Sequence, residues 1–60
     1  MQHAIINQYG MYIQGKEYDQ IMSAIQNDKE SVTIDNIDVD IIKHTTDKDG
    51  NKITLVQVKH

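Results

Sequence analysis

Five carboxylates between positions 28 and 40 form the densest group of chemically capable side chains in the sequence. Paired carboxylates carry out acid–base catalysis when one of them sits in a pocket that raises its pKa, and nothing in this pattern indicates a pocket. We interpret the group as a solvated face, with a surface for a basic protein partner as the functional alternative and a metal or catalytic site last. The five residues are Asp28, Glu30, Asp35, Asp38 and Asp40.

The string from Asp47 to Asn51 has the residue types that open an EF-hand calcium loop, but its spacing is wrong. Such a loop needs Gly at its sixth position and a bidentate Glu at its twelfth. Here Gly50 is fourth and Val58 is twelfth. Asp, Gly and Asn are ordinary turn formers, so the string predicts a polar hairpin loop with Gly50 at positive φ and no bound ion.

Other catalytic or cofactor-binding patterns are missing from the sequence. There is no cysteine, and His3, His44 and His60 have no close mutual spacing, so a zinc site is not expected. His44 is expected near the acidic face, where it could pair with a carboxylate or exchange a proton, and alone it indicates no site. The three glycines are isolated and form no phosphate-binding loop. We therefore predict no enzymatic activity and no cofactor.

Charge and hydropathy exclude further classes of protein. The net charge is −3 and all six basic residues are lysines, whereas phosphate and base recognition favours arginine, so we expect no direct binding to nucleic acid. No apolar stretch is longer than three residues, as at Ala4 to Ile6, which is far too short for a membrane span. We expect a cytoplasmic protein that does not bind membranes.

The short chain limits how much core it can bury. A 60-residue domain buries only about 60% of the surface that its unfolded chain exposes. Disulfides, a structural metal or association with another chain usually compensate for such a thin core. Because the sequence has no cysteine and no expected metal site, association with another chain is the remaining way to compensate.

The spacing of apolar residues predicts one helix between strands. Residues 3–14 have strand character, with Gly10 either as a bulge or as a turn between two short strands. A tight turn around Gly15 then precedes a helix that begins with Asp19 as its N-cap and ends near Asn27. Its apolar face is formed at helical spacing by Tyr18, Ile21, Met22 and Ile25.

Residues 31–58 alternate as strands do. Asp35 and Asn36 form the turn of a hairpin that places Ile34 opposite Ile37 and Val32 opposite Val39. A final strand runs from Lys52 to Lys59. The chain is thus predicted to be one α+β domain over residues 1–60, with a single amphipathic helix packed on a small antiparallel sheet.

The alternation leaves apolar residues on the side of the sheet away from the helix. If Ile41 faces the helix, Ile42 and His44 face away, and the last strand adds either Ile53 and Leu55 or a pair of valines. We assign this surface to a homodimer interface, although the N-terminal segment could cover it instead. The interface set is Ile42, His44, Val56 and Val58.

These features favour a non-catalytic protein–protein interaction module. The expected form is a small acidic homodimeric regulator or inhibitor, of a kind that phages and other mobile elements encode, which binds a basic protein. One alternative is an acidic mimic of nucleic acid that blocks a host nucleic-acid-binding protein. Another is a minimal enzyme assembled at a dimer interface.

Overall fold

A computed structural model describes residues 2–59, so His60 lies outside the described residues. One helix packs against one face of a four-stranded sheet, which confirms the α+β prediction. The elements in chain order are β1 (His3–Ile6), α1 (Lys16–Gln26), β2 (Ser31–Ile34), β3 (Ile37–Thr46) and β4 (Lys52–Lys59).

The helix begins three residues before the predicted N-cap at Asp19. The N-cap is Gly15, which has a φ of 72°, a value that glycine adopts without steric cost. Its carbonyl accepts a hydrogen bond from the Asp19 amide at 3.2 Å. The prediction for Asp19 was therefore wrong, because a tight turn at Gly15 already starts the helix. Asp19 and Glu17 lie in the first turn, where negative charge is favourable beside the helix dipole.

The hairpin between β2 and β3 has the predicted register. Ile34 pairs with Ile37 and Val32 pairs with Val39. Asp35 and Asn36 form its two-residue turn with φ values of 51° and 66°, the left-handed conformation that Asp and Asn tolerate.

The sheet is mixed and not wholly antiparallel, because β1 pairs parallel to β4. The strand order is β1-β4-β3-β2. After Ile6 the chain turns through Gly10, and residues 12 and 13 then run back along the free edge of β1. Gly10 is thus part of a turn, and the returning segment extends the edge of the sheet without crossing its outer face.

A β-bulge in β3 changes the predicted outer face. Ile41 pairs with Val56 and Lys43 with Leu55, which leaves Ile42 as an extra residue between them. From that point on the alternation is shifted by one residue, so His44 lies on the helix side and not on the outer face.

The valines of β4 also face the helix. Val56 is 2% exposed in the core, and Val58 packs against that core. The placement of His44, Val56 and Val58 on the outer face was therefore wrong, and the outer residues of β4 are Ile53 and Leu55. The buried apolar core between helix and sheet consists of Ile5, Ile21, Ala24, Ile34, Val39 and Val56.

Candidate functional site

The outer face of the sheet carries an apolar region over β1 and the middle of β4. Ile6 pairs with Leu55 on one side and with Tyr12 on the other, so these three side chains form a row across the sheet. Ile53 lies two positions before Leu55 on the same face. The β3 partner of Leu55 is Lys43, and Ile42 precedes Lys43 at the bulge, where it is 59% exposed. We call this set the outer apolar patch: Ile6, Tyr12, Ile42, Ile53 and Leu55.

The other half of the outer face is polar and internally paired. Lys59 Nζ lies 2.8 Å from Asp40 Oδ2, and the Thr33 hydroxyl donates to Asp38 at 2.9 Å. The hydrogen bond to Asp40, followed by the negative charges of Asp40 and Asp38, raises the pKa of Lys59. The outer face is thus divided into an apolar half and a polar half whose charges largely neutralise each other.

The five acidic residues of the sequence prediction do not form one continuous surface. Glu30 and Asp35 lie at opposite ends of β2. Asp35 is 3.6 Å from Lys16, in an exposed ion pair, and Asp38 and Asp40 belong to the polar half described above. Asp28 and Glu30 are exposed in the connection between the helix and β2, so they are the part of the acidic set most open to a basic partner.

The molecule exposes more surface than its mass requires. Its accessible surface is 4444 Å², whereas a compact folded monomer of 6.9 kDa is expected to expose about 4000 Å². A two-layer arrangement with one helix on one face of a sheet accounts for the difference, because the second face has no layer over it among residues 2–59.

A second apolar feature is the turn between β1 and the helix. Tyr9, Met11 and Tyr12 are 68%, 62% and 65% exposed. The side-chain oxygen of Asn7 accepts hydrogen bonds from the amides of Tyr9 and Met11, which holds the turn in place. Large aromatic and methionine side chains held in this way are typical of protein-binding surfaces.

On the helix side, two histidines that are distant in sequence meet at one hydroxyl group. His3 Nε2 lies 2.7 Å from Thr54 Oγ1, and His44 Nδ1 lies 2.9 Å from the same oxygen. A hydroxyl group donates only one proton, so at least one of these two ring nitrogens must itself carry a proton. The Tyr18 hydroxyl donates to the backbone carbonyl of His3 at 2.7 Å and so ties β1 to the helix.

His3, His44 and Thr54 border a cleft of about 520 Å³ beside the C-terminal end of the helix. Burial, then the positive charge of Lys52, then that of His44 lower the pKa of His3. We call this the histidine cleft; it is lined by His3, Ile25, Asp28, His44, Thr45, Thr46, Lys52, Ile53 and Thr54.

The arrangement does not suit nucleophilic catalysis at Thr54, because its side chain has no exposed surface for a substrate to reach. Among residues 2–59, no group of three His, Cys, Asp or Glu side chains is arranged to hold a metal ion. The sequence interpretation missed the meeting of His3 with His44, since it depends on the parallel β1–β4 pairing and on the bulge.

Within the described part of the chain, no helix is long and apolar enough to cross a membrane. Comparison of the chain with protein-family models, with curated proteins and with solved structures found no match.

Proposed function

We propose that this protein is a non-catalytic interaction module that acts as a homodimer, a small cytoplasmic regulator or inhibitor that binds a basic protein. The observation that carries the proposal is the outer apolar patch on the face of the sheet opposite the helix. Burying a single aliphatic side chain contributes about 1.5–3 kcal/mol. Tyr12 and Ile42 are largely exposed, whereas the other three members of the patch, Ile6, Ile53 and Leu55, are half-buried. The apolar area that remains exposed therefore favours association of this thin two-layer domain.

A second copy of the chain suits this patch because the outer face is electrically balanced. By register it carries two acids and two lysines, Asp38, Asp40, Lys43 and Lys59, although the whole chain has a net charge of −3. In a two-fold dimer the same surface meets itself, so a balanced face avoids the repulsion that a uniformly acidic face would create.

The connection after the helix lies at the rim of the proposed interface, because residues 28–30 line the same surface depression as Ile42. Asp28 and Glu30 are exposed there. Complementary charge mainly accelerates and orients association, so these two carboxylates would direct a basic partner toward that end of each protomer. The partner's contact energy would come from apolar side chains, for which Tyr9 and Met11 are available.

The proposal is tested by introducing one lysine into either half of the outer face. Ile42→Lys places a charge in the apolar half, and Thr33→Lys places the same charge in the polar half; both positions are exposed, so the fold should survive in each variant. Circular dichroism would verify the fold, and sedimentation velocity would give the mass.

We expect Ile42→Lys to sediment as a monomer and Thr33→Lys to remain a dimer like the parent chain. A folded Ile42→Lys variant that dimerises as tightly as the parent chain would exclude the outer apolar patch as the interface.

A further inference from the structure

We propose that the histidine cleft binds a small oxyanion of the phosphate class. The basic groups of its lining are His3, His44 and Lys52, contributed by three adjacent strands. Lys52 pairs with His3 in the β1–β4 register, and the two imidazoles share the Thr54 hydroxyl, so all three groups border the same end of the sheet. By register the three basic groups face the helix side of the sheet, whereas Ile53 of the lining belongs to the outer apolar patch, so the anion would be held on the face opposite the proposed dimer interface.

Thr54 holds the two imidazole rings in position. Its oxygen contacts Nε2 of His3 and Nδ1 of His44, which leaves Nδ1 of the first ring and Nε2 of the second for other partners. A protonated ring nitrogen donates a charge-assisted hydrogen bond to a phosphate oxygen, and a lysine ammonium serves as a point charge for the same ligand. The hydroxyl of Thr46, which pairs with Lys52, is a further potential donor.

The electrostatic environment also favours an anion. The two charges that act on His3, those of Lys52 and His44, are both positive and both lower its pKa. A bound dianion would offset this repulsion. Asp28 is the negative side chain of the lining and opposes an anion. Three carbonyls of the last helical turn, those of Ser23, Ala24 and Ile25, accept hydrogen bonds from the amides of residues 27–29.

The cleft is open to solvent, and its volume is compatible with a small ligand. At about 520 Å³ it falls within the range of small-molecule sites, which run from about 300 to 1,000 Å³. Ile25, the apolar residue that the helix contributes to the lining, would contact a carbon-containing group attached to the anion. The expected ligand is therefore a phosphate monoester on a small organic group, and inorganic phosphate is the simplest probe of the site.

The test follows the imidazole NMR signals of His3 and His44 through a pH titration, in phosphate and in chloride at equal ionic strength. Opposite charge within a few ångströms favours the protonated form, so we expect phosphate to raise the apparent pKa of His3 and to shift the ring signals of both histidines. Three variants report on the location of the site. Lys52→Gln removes a basic group of the cleft, and Lys16→Gln removes the same charge near the β2–β3 turn, at the other end of β3. Asp28→Asn removes the opposing negative charge.

We expect Lys52→Gln to weaken phosphate binding roughly fivefold, Asp28→Asn to strengthen it by a similar factor, and Lys16→Gln to leave it unchanged. Unchanged imidazole pKa values in phosphate would overturn the proposal. Equal weakening by Lys16→Gln and Lys52→Gln would also overturn it, because it would reveal diffuse attraction without a site. Weaker binding in Asp28→Asn would exclude an anion site as well.

Discussion

The side chains of His3 and Thr54 are hydrogen-bonded at 2.7 Å although 51 positions separate them in the chain. The parallel pairing of β1 with β4 brings them together, and Thr54 is fully buried at the point of contact. The bulge in β3 then turns His44 toward the same hydroxyl. This hydroxyl thus links three of the four strands on the helix side of the sheet.

Replacing Thr54 by valine should measure what this link contributes to stability. The valine keeps the shape of the side chain but removes the hydrogen bonds to both imidazoles, so we expect the free energy of unfolding to fall by about 1–2 kcal/mol. The matched control is Thr33→Val, which removes a hydroxyl bonded to Asp38 on the exposed edge strand and should change stability by less than about 0.5 kcal/mol. Urea denaturation measures both, and equal effects of the two substitutions would contradict the structural role of Thr54.

The lowered pKa of His3 predicts that the protein loses stability as the pH falls. The unfolded chain takes up a proton near the ordinary histidine pKa of 6.5, whereas the native state does so only at lower pH. Below about pH 6.5 the unfolded state therefore binds more protons, and the free energy of unfolding decreases until the native pKa has been passed. Urea midpoints across this interval should fall in the parent chain and fall less in His3→Gln. A midpoint that rises on acidification would contradict the assignment.

The loop between β3 and β4 should not bind calcium. The Asp47 carboxylate accepts hydrogen bonds from the amides of Asp49 and Asn51, both at 2.9 Å, and from the Asn51 side chain at 3.2 Å. These bonds, led by the one from the Asn51 amide, lower the pKa of Asp47 and occupy the oxygens that a calcium ion would need. Calcium added to millimolar concentrations should leave the amide NMR shifts of Asp49 and Asn51 unchanged. A saturable shift at both residues would show that the loop is a calcium site.

The local features of the fold were predictable from the sequence because short-range patterns determine them. Helical spacing of Ile21 and Ile25 identified the helix, and the turn residues Asp35 and Asn36 set the hairpin register. The positive φ of Gly50 follows equally from its place in a turn-rich loop.

The pairing of β1 and the shift in β3 were not predictable in the same way. Alternation identifies β1 as a strand but says nothing about its partner, which lies some 50 residues further along the chain. Two adjacent isoleucines, Ile41 and Ile42, break the alternation of β3 and were the available signal for the bulge. Interpreting them as regular alternation placed His44 on the outer face and left the histidine cleft undetected.

Sedimentation equilibrium of the unmodified chain shows whether it is a homodimer in solution. At concentrations of tens of micromolar we expect a mass of twice 6.9 kDa. That mass should be nearly the same at low and high salt, because apolar contacts on a balanced face are insensitive to screening. A chain that sediments at 6.9 kDa over the whole concentration range, folded and soluble, would contradict the claim that the outer apolar patch is a dimer interface.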